Sequence, residues 1–231
     1  MCGRFTLISP QRATAELFGE AGGETSSLPP RYNITPSQDV LALRSSSEGS
    51  TREAVLLRWG LVPFWAKNAA IGNRLINARA ETVADKPSFR AAFRQRRCLI
   101  AADGFFEWRH EGNAKTPYHI HMAAAEPFAM AGLWERWAPD GEAAVESCTI
   151  ITTAANALVE PIHARMPVIV DRHDHDLWLS GTGSEELAGL LRPYPAERMA
   201  AHSVSRAVND PRNDGPECIR PNGPGHLFKD A

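Results

Sequence analysis

The chain has four cysteines in 231 residues, Cys2, Cys98, Cys148 and Cys218, and no two of them form a Cys-x-x-Cys pair. This spacing argues against a cysteine zinc site, a dithiol redox motif and a dense disulfide framework, and leaves reduced thiols as the simplest reading. No apolar run approaches the roughly 18 residues of a membrane span. The first residues lack the basic start and apolar stretch of a secretory signal, so a cytoplasmic protein with no membrane partner is expected. Neither sign of charge dominates: 25 Lys and Arg against 27 Asp and Glu give a formal net charge of -2. No global positive field draws in nucleic acid, and any anion site has to be local. Internal repeats, heptads and extended low-complexity tracts are missing too, which removes solenoids and coiled coils.

What remains is a chain 43% hydrophobic, able to bury one substantial core. One domain over 1–221 is expected, with 222–231 as a flexible tail. The Pro-, Gly- and Asn-rich stretch from 209 onward is expected to wrap the surface or fray. Strands are predicted at 40–44, 53–60, 98–108, 117–122, 127–134, 147–153 and 166–170. Helices are predicted at 10–18, where Ser9 precedes Pro10, and at 88–96, 175–179 and 184–192. Regular helical crossovers are lacking, so the fold class is α+β with a mostly antiparallel, partly barrel-like sheet.

Several groups in this frame carry chemistry. Removal of Met1 would leave Cys2 with a thiol and a free α-amine on adjacent carbons. Such a 1,2-aminothiol attacks aldehydes: the amine forms an imine and the thiol closes a thiazolidine ring. A base-activated thiol could instead attack an acyl carbon. Read alone, a cysteine at position 2 is more simply a chance occupant of a chain terminus.

In GFFEW (104–108) a strand would place Phe105, Glu107 and Arg109 on one face. A carboxylate desolvated by aromatic neighbours has a raised pKa and can donate a proton; an outward Glu107 paired with arginine is the plainer alternative. His163 follows a short helical pattern and precedes an apolar strand, with Arg165 two residues on. Between Arg74 and Arg97 seven Lys and Arg stand against two acidic residues, a local phosphate-binding candidate or a solvated helix face. Phe64 and Trp65 in WGLVPFWAK are candidates for stacking on bases, whereas Trp59 reads as core. The pairs His119-x-His121 and His173-x-His175 have no third ligand nearby in sequence, so no metal or cofactor is expected.

Taken in order, MCGRF, RYNITPSQ, RWGLVPFWAK, LINARAET, CLIAADGFFEW, PYHI, AGLW, TIITTAAN, IHARMPVIV and VSRAVND resemble the SOS-response-associated peptidase (SRAP) family from Cys2 to about Pro221. The resemblance implies an abasic-site sensor that captures the ring-opened aldehyde in single-stranded DNA as a thiazolidine crosslink. It implies lyase-like and autopeptidase activities as well; a monomer is the default expectation. Cys2 would be the nucleophile, and Asn77 would hold its amine and the adduct. Glu107 would protonate the sugar ring oxygen, and His163 would shuttle protons in imine formation, β-elimination or crosslink reversal. Thr152 would support the pocket, Arg4, Arg79 and Arg165 would contact flanking phosphates, and Asn33 and Pro36 would form a pocket-side loop. The sequence departs from some relatives in having Phe64-Trp65 for two tryptophans, and Phe106 for Tyr or Trp.

Overall fold

The protein is represented by a computed structural model describing residues 2–19, 28–46, 51–112, 114–139, 141 and 143–222. Its strands are β1 (Phe5–Leu7), β2 (Arg31–Ile34), β3 (Asp39–Ser45), β4 (Arg52–Trp59), β5 (Asn77–Arg79), β6 (Arg97–Ala102), β7 (Gly104–Glu111), β8 (Ala114–Met122), β9 (Phe128–Trp137), β10 (Val145–Ala154), β11 (Arg165–Pro167), β12 (Ile169–Val170) and β13 (Met199–Ser203). Short helices flank them: α1 (Pro10–Ala13), which continues as a π-helical turn over Thr14–Phe18, α2 (Arg90–Gln95), α3 (His175–Ser180) and α4 (Ser184–Leu190).

Two sheets form the body. In the larger, β10, β4, β3, β6 and β9 pair in turn and β9 pairs back onto β10, so five strands close on themselves. Every residue of β6 is buried, as a strand packed on both faces requires. The second sheet runs β13-β8-β7-β1-β2, every pair antiparallel. One apolar core joins the two, with Phe5, Phe105 and Ile120 from the second sheet beside Leu43, Ile100 and Leu133 from the first. The expected mostly antiparallel, partly barrel-like α+β fold is the one found, with parallel pairing only where β4 and β5 meet β10 among the described residues.

The run 98–108, expected as one strand, is two strands in different sheets. Asp103 makes the break, its carboxylate accepting from Thr6 Oγ1 (2.5 Å), Ile8 N (2.5 Å) and Ser9 N (3.2 Å). An Asp-Gly pair is a turn signal even inside an apolar run, and here it outweighs the run. Strands β1, β2, β5 and β13 went unread: the first three have only three or four residues, too few for a period to show, and β13 (MAAHS) has no β-branched residue and no Phe, Tyr or Trp. From 204 to 222 the chain wraps the outer face of the second sheet, burying Val204, Val208 and Cys218 against Phe106, with Tyr32 and Trp108 at the margin. Of the expected tail 222–231, Asn222 is held by its N–H donating to Ser203 O at 2.9 Å, and 223–231 lie outside the described residues.

Candidate active site

Strand β1 inserts between β7 and β2, with Phe5 opposite Phe105 and Phe106 N donating to Arg4 O at 2.9 Å. This pairing carries the start of the chain alongside Glu107 and buries Cys2 completely. Asn77, the first residue of β5, donates from Nδ2 to Cys2 O at 2.8 Å. Glu107 is only 4% exposed, so the outward-facing alternative fails, and Arg109 pairs instead with Glu111 at 3.1 Å. His163 ends the turn after β10, its backbone N donating to Val159 O at 2.9 Å. That turn sets Nδ1 at 3.7 Å from Glu107 Oε1. The residues proposed as nucleophile, holder, acid and proton shuttle therefore converge from four separate places in the chain.

The electrostatics follow from burial. Loss of solvent pushes the Glu107 carboxyl above the ordinary carboxylate range, and the neighbouring His163 only partly offsets this. Burial, reinforced by the Glu107 charge, pushes the Cys2 thiol well up, so at neutral pH the sulfur carries its proton. His163 Nδ1 lies 3.1 Å from both the N–H and the C=O of Arg165. A bare Nδ1 can accept from the first and a protonated one can donate to the second, so either state finds a partner.

An opening of about 400 Å³ leads to this pair, lined by Glu107, Trp108, His110, Lys115, His163 and Asn209. Trp108, His110, Lys115 and Asn209 were not read as site residues. Trp108 Nε1 donates to Asn209 Oδ1 at 2.8 Å, tying the wall to the returning C-terminal segment. His110 and Lys115 face each other across the β7–β8 hairpin, a pairing that the turn before Lys115 could have suggested.

The remaining candidates divide. Thr152 is buried beside Arg79 in the β5–β10 register, its hydroxyl donating to Ala78 O at 3.3 Å. Arg79 is exposed. Arg165 bridges two elements, donating to Thr152 O at 2.6 Å and forking onto Glu81 at 2.5 and 3.0 Å. Arg4 donates to Asn33 Oδ1 (2.9 Å) and Val208 O (2.6 Å). Asn33, fully buried, donates to the carbonyls of Val208, Asp210 and Asn213 at 3.2, 3.1 and 2.7 Å. Both thus hold the C-terminal wrap in place. Pro36 is half-buried, next to Ser37 at φ 72°. Phe64 and Trp65 are 60% and 48% exposed, whereas Trp59 is buried, its Nε1 donating to Ile76 O at 2.9 Å.

The basic stretch is smaller than its sequence suggests. Arg97 points inward and donates to four backbone carbonyls, those of Phe93, Arg94, Trp178 and Gly181, and Arg96 pairs with Glu135 at 2.8 Å. Arg74, Arg79, Lys86, Arg90 and Arg94 remain exposed.

A buried cysteine near the chain start, a carboxyl held toward its protonated form and an imidazole satisfied in two states are an arrangement suited to nucleophilic chemistry assisted by proton transfer. Residues 1–211 match the SOS response associated peptidase (SRAP) family, and the chain belongs to it. It is 44% identical over 224 residues to abasic site processing protein YoqW of Bacillus subtilis, covering 95% of this chain and 99% of that one. Over 229 residues it is 33% identical to abasic site processing protein YedK of Escherichia coli, covering 96% and 100%. A solved structure of a Bacteroides thetaiotaomicron protein superimposes with a TM-score of 0.85 at 30% identity, covering 96% of this chain and all of that one.

Proposed function

We propose that this protein processes abasic sites in single-stranded DNA, capturing the ring-opened sugar through the aminothiol of Cys2 once Met1 is removed. The observation that carries the reading is the placement of Cys2, its carbonyl gripped by Asn77, against the Glu107–His163 pair. The names of the relatives point to the same substrate.

The chemistry divides among these groups. Glu107, inclined to hold its proton, delivers it to the sugar ring oxygen as the C1 hydroxyl gives up its own, and the hemiacetal opens to the aldehyde. The Cys2 amine adds to the aldehyde carbon and water leaves, forming the imine. The thiol sulfur then adds to the same carbon, and its proton passes to the imine nitrogen, closing the thiazolidine ring. His163 is suited to relay protons between these steps because neither of its states is left unpaired. Arg79 and the exposed Phe64 and Trp65 are the groups available to hold flanking phosphates and bases, and Arg165 would join them on releasing Glu81. Removal of Met1 by the protein itself would use the same Glu107 and Cys2.

A cysteine peptidase acting on other chains needs a thiolate, and burial here disfavours one. The deciding experiment incubates the protein with a single-stranded oligonucleotide carrying one abasic site and runs a denaturing gel. A heat-stable shifted band is expected, absent for Cys2→Ala and for an unprocessed residue inserted before Cys2. No band with the native protein would sink the proposal, and cleavage of added polypeptides in its place would favour the peptidase.

A further inference from the structure

On the second sheet, residues paired directly across antiparallel strands share a face. Phe105 pairs with Ile120 and Glu107 with Tyr118, and Phe5 lies opposite Phe105, so these line the face carrying Glu107. Gly104 pairs with His121 and Phe106 with His119, and Thr6 lies opposite Gly104, so these line the reverse face. His202 of β13 stands opposite His119 on that reverse face. Three imidazoles thereby meet behind the candidate active site, with ring centroids 5.4, 5.4 and 5.5 Å apart. The third ligand that the spacing His119-x-His121 lacks in sequence comes from a strand far downstream.

Each ring holds one nitrogen to a protein oxygen and has the other to spare. His121 Nδ1 lies 2.8 Å from Met122 O, and His202 Nε2 lies 3.1 Å from Ile219 O. Since a carbonyl only accepts, those nitrogens carry the protons, leaving bare His121 Nε2 and His202 Nδ1. His119 Nε2 lies 3.3 Å from Thr6 Oγ1, whose own proton goes to Asp103 Oδ1 at 2.5 Å. The hydroxyl therefore accepts from the ring, and His119 Nδ1 is the bare atom, buried with no hydrogen-bond partner among the described residues. Imidazoles tied on one nitrogen to a carbonyl, or through a hydroxyl to a carboxylate, are the arrangement that orients histidines toward a metal ion. Gly104 makes room for the set, since a Cβ there would stand 2.0 Å from His119 Nε2.

We propose that His119, His121 and His202 bind one divalent first-row transition ion, zinc in the first instance. One ligand atom from each residue lies within 4.8 Å of the other two. Zinc–imidazole bonds of about 2.0–2.1 Å bring tetrahedral nitrogens to roughly 3.4 Å from one another. That contraction is within the side-chain rotations of His121 and His202, which are only half-buried. The donors suit zinc, nickel or copper, and exclude calcium and magnesium, which take oxygen ligands. A cavity of about 270 Å³, lined in part by Ser9, Arg12, Pro127 and Ile219, adjoins the three rings and leaves the fourth coordination position to a solvent oxygen. The ion would pin β13, and through Ile219 the C-terminal wrap, to β8.

The test titrates the full-length protein with Zn²⁺ by calorimetry and with Co²⁺ by visible absorption. One ion per chain is expected, with a tetrahedral or five-coordinate Co²⁺ spectrum and a raised Tm on Zn²⁺ addition. His121→Ala and His202→Ala should each weaken binding at least about tenfold, in proteins that still melt cooperatively and still cross-link abasic DNA. Thr6→Val keeps all three rings but removes the bond that orients His119, and should weaken binding by about 10–100-fold. Cys2→Ala should bind as the parent does, which separates this site from the aminothiol. No bound ion in the full-length protein would overturn the proposal. So would binding undiminished in the His121→Ala/His202→Ala double variant.

Discussion

Glu107 shows at the scale of one residue how burial of a carboxyl links stability to pH. Its carboxyl is held above the ordinary range by burial, so the folded state binds a proton more tightly than the unfolded chain. The sign of the linkage follows: Glu107 costs nothing below the ordinary carboxylate pKa and destabilises the fold progressively as pH rises toward its raised value. Glu107→Gln should accordingly melt no lower than the parent at pH 7. It should also cross-link abasic DNA about 10²-fold more slowly, within the usual contribution of a general acid. In the parent the crosslinking rate should fall as pH rises through the Glu107 pKa, and the variant should lack that limb. Thermal melts and a pH series on single-stranded substrate check both halves. Glu81 offers the converse case. Its exposed carboxylate occupies the Arg165 fork, and such pairs contribute only about 0–1 kcal/mol. Glu81→Gln should leave Tm nearly unchanged and tighten single-strand binding, measured by fluorescence anisotropy.

At the scale of elements, the segment carrying Phe64 and Trp65 is positioned by two glycines packed backbone to backbone. Gly60 sits at φ 128°, and a Cβ there would come 2.8 Å from Gly72 O; one on Gly72 would come 2.5 Å from Gly60 O. Trp137 Nε1 also donates to Ala66 O at 2.7 Å, and Ser147 Oγ accepts from Val62 N at 2.8 Å. Gly72→Ala should cost about 1–3 kcal/mol in a urea melt through overpacking, and should weaken single-strand binding by displacing the loop. Truncating Phe64 and Trp65 together to alanine should separate the two effects. Both are exposed, so stability should hold while binding loses about 1–3 kcal/mol for each base stacked. The same loop shows where sequence reading reaches its limit. Aromatic density marked 59–67, but only the tertiary packing sorted Trp59 inward and its two neighbours outward.

For the molecule as a whole, the small net charge makes any grip on DNA a matter of local cations. Arg74, Arg79, Lys86, Arg90 and Arg94 are exposed, whereas Arg97 is spent on carbonyls of the chain itself. If the proposed single-strand binding holds, affinity should fall with salt, and Arg79→Ala, which removes one arginine proposed to contact a phosphate, should reduce the log–log slope by about 0.7. The C-terminal wrap is the second global feature. Asn33 and Arg4 hold it by hydrogen bonds to Val208, Asn209, Asp210 and Asn213, and Asp214 caps the N–H groups of Tyr32 and Asn33 at 2.6 and 2.8 Å. Asn33→Ala would take the Asn33 donor from the partly buried carbonyls of Asp210 and Asn213, leave Val208 O its bond from Arg4, cost about 1–3 kcal/mol in all and loosen Asn209 from the site wall. Hydrogen exchange over 204–222 should rise in that variant while the barrel stays protected.

The sequence by itself determined what is local or ordered along the chain: the turn-punctuated strands of an antiparallel α+β fold, the small second residue, and the motif order shared with the SRAP family. Cys2, Asn77, Glu107 and His163 could be put forward from it as candidates because each sits in a motif of that shared order. What depends on strands meeting at long sequence separation was decided only by the tertiary structure. Burial set the proton affinities of Cys2 and Glu107, because solvent access belongs to the packed molecule and not to a motif. Arg4, Asn33 and Arg97 turned out to grip the chain's own carbonyls, which a formal charge or amide cannot reveal. The pairing of β13 with β8 brought His202 to His119 and His121, a cluster that spacing along the chain had no means to show.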